Sequence, residues 1–274
     1  MNRQENIYYK GDFIKMILAI LQARVSSTRL PGKVLKPILG SPMLLKQIER
    51  IKRSNYIDRL IVATSEETSD DPIEQLCKEN NITCFRGKLK NVLDRFYKAA
   101  ILFSPINIVR LTGDCPLIDP HLIDKVIAFH LQGDYDYTSN TIEPTYPDGL
   151  DVEVFRFSCL KQAWEEAVLP SHTEHVTPFI YEHPHRFKIG SYKNQRDLSQ
   201  LRWTVDEEID FELVAKIYEQ LYPSNPYFTT KDILIFLDNN PNLKDLNKHI
   251  KRNEGFQKSR EADLLINQKN KKRE

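Results

Sequence analysis

Four short apolar runs, MILAIL (16–21), RLIVAT (59–64), ITCF (82–85) and INIVRL (106–111), are each followed by a stretch with helical patterning. Those stretches lie at 42–53, from the Asp70-Asp71-Pro72 start, at 92–103 and at 121–131. An unbroken apolar run suits a strand buried on both faces, the situation of strands in parallel sheets covered by helices. Strand and helix alternating in this way predict an α/β fold with a doubly wound, mostly parallel, Rossmann-like sheet. After Tyr135 the order changes. GLDVEVF (149–155) alternates and predicts a strand; helices are expected at 159–168 and 172–181, short strands near 187–189 and 201–203, and helices at 207–220 and 231–238.

At 274 residues, 41% of them apolar, the chain can bury a full core. Lys plus Arg (39) nearly balance Asp plus Glu (38), which argues against a surface that coats nucleic acid or an anionic membrane. Cys77, Cys84, Cys115 and Cys159 are far apart and form no CxxC pair. Reduced thiols of a cytoplasmic protein are therefore expected, without disulfides or a zinc site. The apolar run at 13–21 is interrupted by Lys15 and is too short to span a bilayer. The expected division is an extension at 1–14 ahead of Met16, one domain at 15–250, and a basic tail at 251–274. From Lys248 onward, nine basic residues face four acidic ones.

The loop after the first strand, QARVSSTRLPGKVL (22–35), carries Arg24, Arg29 and Lys33 around two serines, a threonine and a Pro-Gly turn. Open α/β sheets bind ligands at the carboxyl ends of their strands, where this loop falls. It contains neither a GxxxxGK[ST] nor a GxGxxG pattern, so the two common glycine-rich phosphate cradles are absent. Two guanidinium groups, one ammonium, three hydroxyls and the N–H groups of a turn are the donors that a triphosphate requires.

The run ILQARVSSTRLPGKVLKPILGSPML resembles the opening signature of the sugar-activating cytidylyltransferases, the family of the CMP-Kdo and CMP-acylneuraminate synthetases. The resemblance is nearest to the branch named for spore-coat polysaccharide biosynthesis protein F. It continues through VATSEETSDDPI, RGKLKNVLDRF, RLTGDCPLIDP, YPDGLDVEVF, EHVTPFIYEHP, RWTVDEEIDFELV and RNEGFQKS, from Met16 to about Asp263. It implies the nucleotide-diphospho-sugar transferase type of sheet with a small inserted dimerisation or acceptor segment. It also implies CTP as donor, a Mg²⁺ ion held by Asp114 and Asp206, and a homodimer. Arg24, Arg29, Lys33 and Asp114 are the implied catalytic set. Nucleotide contacts are expected from Gln22, Ala23, Arg24, Ser26, Arg29, Lys33, Ala63, Thr64, Ser65, Gly87, Thr112 and Asp114. The implied reaction is attack of an acceptor oxygen on the α-phosphorus of CTP with loss of pyrophosphate, which rests on positioning and electrostatics and needs no covalent nucleophile. Cys115 is accordingly read as a buried structural thiol and Asp119 as a helix cap, while Asp206 has an alternative as the cap of the helix near Glu207.

On the acceptor side, Asn140, Tyr146, Asp148, Asp151, Glu153, Glu174 and His175 offer the mixed hydrogen-bonding groups that a polyol needs. The HxGxYxYR-type segment of the Kdo enzymes is replaced by GLDVEVFR, so two acceptor classes stay open: a sugar acid, or a phosphorylated small molecule. The competing reading is a nucleotide-sugar-dependent glycosyltransferase of GT-A-like fold, whose DxD metal motif is formally matched by Asp134-Tyr135-Asp136.

Overall fold

The computed structural model describes residues 16–250, 252, 256–257, 259–261 and 263–264; the extension read at 1–14 and most of the 251–274 tail lie outside them. In chain order the strands are β1 (Ile17–Gln22), β2 (Pro37–Ile38), β3 (Ser41–Pro42), β4 (Arg59–Ser65), β5 (Thr83–Gly87), β6 (Asn107–Thr112), β7 (Tyr137–Ser139), β8 (Glu153–Arg156) and β9 (Ile189–Ser191). The helices are α1 (Met43–Ile51), α2 (Asp71–Glu79), α3 (Val92–Ile101), α4 (Pro120–Gln132), α5 (Phe157–Glu166), α6 (Pro170–His175), α7 (Pro178–Tyr181), α8 (Glu208–Leu221), α9 (Thr230–Asp238) and α10 (Pro241–Lys244).

Seven strands form one sheet in the order β5-β4-β1-β6-β8-β7-β9, and β2 pairs only with β3. The pairs β5–β4, β4–β1 and β1–β6 are parallel, whereas β8 runs antiparallel to both β6 and β7. The sheet is therefore doubly wound and mostly parallel, as the alternation predicts. Its topological switch lies where the chain leaves β1 toward β4 on one side and returns to β6 on the other, and a ligand crevice opens there.

The sides of β1 show how the sequence sets the layers. Ile17, Ala19 and Leu21 pack into one core with Met43, Leu44, Ile48 and Ile51 of α1 and with residues of α4 and α8. Leu18 and Ile20 point the other way, into a second core with Val92, Phe96 and Ala99 of α3 and Leu160 of α5. Because both faces are covered, the strand reads as a continuous apolar run with no polar side.

Three expectations change. The helix expected at 172–181 is two helices, broken at Val176, which has φ 72°. Pro178 in the first turn of α7 is the reason: inside one continuous helix it would clash with the carbonyl four residues back and has no N–H to donate to it. The segment 201–203 is not a strand; Arg202 makes one isolated parallel bridge to Asp148. The strand expected at 149–155 is Glu153–Arg156; ahead of it the Asn140 side chain takes the Leu150 carbonyl and the Val152 N–H. Finally, β7 was not foreseen, because only three residues of a polar stretch form it.

Gly149 makes the bridge possible. It has φ 102°, and a Cβ there would sit 2.3 Å from the backbone nitrogen of Thr204, which itself donates to the Asp148 carbonyl at 2.9 Å. Gly149→Ala is expected to destabilise the fold by about 2–4 kcal/mol, from strain plus a contact that backbone cannot relieve. Urea unfolding checks this, and an unchanged midpoint would contradict the packing described.

Candidate functional site

At the carboxyl ends of β1 and β6 lie two adjoining cavities of about 600 and 660 Å³, both lined by Arg24, Arg29, Arg110, Thr112, Asp114, Glu174, His175 and Asp206. The loop after β1 is fixed from below by a residue that the sequence reading took only as a helix start. Asp70 is fully buried and accepts the backbone N–H of Val25 at 2.7 Å, the N–H of Ser65 at 3.1 Å, and the Ser65 hydroxyl. Asp70→Ala should orphan these donors, cost about 1–3 kcal/mol, and loosen the loop. The matched loss in thermal stability and nucleotide affinity is measurable by calorimetry.

Lys33 is the centre of the site. Its side chain is only 10% exposed. Its Nζ donates to Asp206 Oδ1 at 2.8 Å and to the Val205 carbonyl at 2.7 Å, and lies 3.5 Å from Asp114 Oδ2. Burial alone would lower the pKa of this ammonium, but the charges of Asp114 and Asp206 outweigh it and raise it. Asp206 Oδ2 also receives Arg29 Nη2 at 2.9 Å and Arg202 Nη2 at 3.1 Å. Glu207, not Asp206, is the N-cap of α8, in a capping box with Asp210. This leaves the Asp206 carboxylate turned to the cations. Asp119, by contrast, is the N-cap of α4 and accepts the His121 N–H at 2.9 Å.

The two aspartates expected to hold a metal are therefore brought to one point, with a lysine ammonium between them where a cation would sit. Among the described residues, no group of three or more His, Cys, Asp or Glu side chains could hold a metal ion alone. Two hard carboxylates beside the Arg24, Arg29 and Lys33 cations do fit Mg²⁺, which usually keeps waters and takes one or two carboxylates plus substrate phosphates.

The nucleotide set divides. Gln22, Ala23, Arg24, Arg29, Lys33, Thr112 and Asp114 line the 600 Å³ cavity. Ser26 is exposed and does not line it; Ser27 and Thr28 do. Ala63, Thr64 and Ser65 are fully buried, Gly87 is buried, and none of the four lines either cavity. Their position follows from the register: Ser65 pairs with Gly87 at the ends of β4 and β5, one and two strands away from the opening beside β1.

The acceptor set also divides. Asp148, Asp151, Glu153, Glu174 and His175 line the 660 Å³ cavity. Asn140 does not: it is 1% exposed, its Nδ2 donates to the Leu150 carbonyl at 2.8 Å, and its Oδ1 accepts the Val152 N–H at 2.9 Å. Tyr146 stacks on Tyr192 outside the cavity, ring centroids 6.2 Å apart. The carboxylates are held by arginines that the sequence reading missed. Arg202 Nη1 lies 2.9 Å from Asp148 Oδ2, and its Nε donates to Asp210 Oδ1 at 3.0 Å. Arg110 pairs with Glu153, which also accepts from the Tyr137 hydroxyl at 2.9 Å and the Thr177 hydroxyl at 2.5 Å. Asp151 is pushed up to about 7 by burial, against the opposing pull of Arg252.

Cys115 is 3% exposed and burial pushes its thiol well up, which removes the thiolate a nucleophile would need. The Asp134-Tyr135-Asp136 stretch is engaged elsewhere. Arg156 Nη2 meets Asp134 Oδ1 at 2.5 Å, and Asp136 Oδ2 accepts the Lys188 N–H at 2.9 Å, away from both cavities. Among the described residues, no helix is long and apolar enough to cross a membrane.

Comparison with known proteins matches this architecture. The cytidylyltransferase family model matches residues 18–233. The chain is 38% identical over 240 residues to the uncharacterized protein MJ1063 of Methanocaldococcus jannaschii, covering 86% of this chain and 96% of that protein. It is 35% identical over 234 residues to the spore coat polysaccharide biosynthesis protein SpsF of Bacillus subtilis, covering 82% and 95%. A cytidylyltransferase structure from Leptospira borgpetersenii superposes with a TM-score of 0.79 at 33% identity, covering 83% of this chain and 96% of that one. The fold is also that of a CMP:2-keto-3-deoxy-manno-octonic acid synthetase complexed with CTP, with a TM-score of 0.60 at 16% identity over 75% of this chain and 99% of that one.

Proposed function

The chain belongs to the cytidylyltransferase family, and from that premise we propose that it transfers CMP from CTP to an acceptor oxygen, the hydroxyl of a sugar acid or the phosphate of a phosphorylated small molecule, releasing pyrophosphate. The observation that carries this reading is the Lys33 ammonium bridging Asp114 and Asp206, with Arg29 on the same carboxylate, at the carboxyl end of the switch strands. The likeness to SpsF supports a place in surface polysaccharide or glycoconjugate biosynthesis.

In this reading Arg24, Arg29 and Lys33 hold the β- and γ-phosphates and face the charge that builds on the leaving pyrophosphate. Asp114 and Asp206 would hold Mg²⁺, which would supply neutralisation of phosphate charge and polarisation of the phosphoryl group. Asp148, Asp151 and Glu174 face the acceptor and orient its attacking oxygen toward the α-phosphorus. The new bond joins that oxygen to the α-phosphorus, the bond from the α-phosphorus to the bridging oxygen of the β-phosphate breaks, and, where the acceptor attacks through a hydroxyl, its proton leaves to water. Positioning two reactants in this way replaces any need for a covalent intermediate.

Calorimetry with CTP and Mg²⁺ tests the donor. CTP is expected to bind at least about tenfold more tightly than UDP-glucose, since the loop cations match a triphosphate. Tighter binding of the nucleotide sugar would instead favour a glycosyltransferase.

A further inference from the structure

Beyond residue 250 the chain returns to the acceptor cavity. Arg252 Nη2 lies 2.9 Å from Asp151 Oδ1, its Nε lies 3.5 Å from Asp148 Oδ1, and its Nη1 donates to the Tyr146 carbonyl at 3.3 Å. Ser259 is 8% exposed; its hydroxyl donates to Glu174 Oε2 at 2.8 Å and meets His175 Nε2 at 2.9 Å. The Phe256 ring stands edge-on to His175, centroids 5.1 Å apart. Asp263 Oδ1 accepts the Ser171 N–H at 3.1 Å and ties the segment to the start of α6.

The pattern within these contacts is selective. Arg252 engages Oδ1 of Asp151, and Ser259 engages Oε2 of Glu174. The other oxygen of each, Asp151 Oδ2 and Glu174 Oε1, has no hydrogen-bond partner among the described residues. Neither is among the buried unpartnered atoms, and both residues line the cavity wall. A carboxylate fixed through one oxygen and open at the other accepts a hydroxyl hydrogen in a set direction.

Resting on the proposed function, we infer that Arg252 and Ser259 are positioning residues that set acceptor specificity, presenting Asp151 Oδ2 and Glu174 Oε1 to two hydroxyl groups of a polyhydroxylated acceptor of monosaccharide size. In the tail that composition marks only as basic, Phe256 lines the 660 Å³ cavity and Ser259 the 600 Å³ one, while Arg252 reaches the acceptor side through Asp148 and Asp151. Its function there is local orientation, distinct from a general attraction for anions.

The test uses the full chain with saturating Mg²⁺ and CTP, and a panel of 3-deoxy-manno-octulosonate, N-acetylneuraminate and glycerol 3-phosphate, following pyrophosphate release. For the acceptor that the unaltered protein turns over, Arg252→Ala and Ser259→Ala should each raise KM about tenfold, the loss of one oriented hydrogen bond. CTP affinity should stay within about twofold in Arg252→Ala, whose side chain lines neither cavity, and Arg252→Lys should recover part of the loss because it restores the charge. An unchanged acceptor KM, or CTP affinity falling in step, overturns the inference. Should Arg252→Ala fail to fold by circular dichroism, Ser259→Ala and Arg252→Lys carry the same comparison. If the unaltered protein releases pyrophosphate with no panel member, the proposed function fails separately. Saturation-transfer NMR of the panel with the CTP complex then decides this inference: binding lost on Ser259→Ala supports it, and binding absent or unaffected overturns it.

Discussion

Asp206→Asn is expected to leave a folded protein whose pyrophosphate release from CTP falls by about 10³-fold, the scale of removing a central charge from a phosphoryl-transfer site. The side chain keeps its shape and loses its charge at the one point where Lys33, Arg29 and Arg202 converge. The fold survives because two of those cations have other partners: Lys33 keeps the Val205 carbonyl and Asp114, and Arg202 keeps Asp148 and Asp210. The same carboxylate gives a signed pH dependence. Burial works to raise its pKa, but Lys33, Arg29 and Arg202 outweigh burial and hold it below the ordinary value. A carboxylate depressed in the folded state contributes stability that is complete above its unfolded pKa and is lost as pH falls through the folded one. Thermal unfolding should therefore show a steeper acid loss for the native chain than for Asp206→Asn. Parallel acid profiles would contradict the three-cation arrangement.

Arg29→Ala should separate activity from stability in the opposite sense to a core substitution. The Arg29 side chain is 34% exposed and lines both cavities, and its ion pair to Asp206 is partly solvated. Such pairs contribute up to about 1 kcal/mol, so the urea midpoint should move little. Loss of a guanidinium that faces the leaving phosphates should instead reduce kcat/KM by about 10²-fold or more. A stability loss exceeding the loss of transition-state stabilisation would make Arg29 a structural residue.

Much of this was legible in the chain because it is local. The runs at 16–21, 59–64 and 106–111 have no polar side, and both faces of their strands are covered. The loop cations follow β1 directly, so strand direction alone places them at the switch point. What escaped depends on long-range pairing. Arg202 and Asp148 are far apart in sequence and meet only because Gly149 lets the backbone at Thr204 approach. Asp70 looks like any helix-opening acid until β4 carries Ser65 to its carboxylate. Ser26 and Ser27 are equivalent on paper, and the turn of the loop decides which faces inward. Contacts of Ala63–Ser65 to a base are an expectation from resemblance alone; their burial follows from lying on β4, inside the sheet between β5 and β1. Pro178 is a local signal: a proline within an apparently continuous helix marks the break between α6 and α7.

The most direct measurement is ³¹P NMR of the full chain with CTP, Mg²⁺ and the acceptor panel. The three CTP resonances are expected to give way to free pyrophosphate together with one phosphodiester signal of a CMP–sugar acid or the two diphosphate signals of a CDP derivative, with the growth lost in Asp206→Asn. Release of CDP with inorganic phosphate, or unchanged CTP while a nucleotide sugar is consumed, would contradict it.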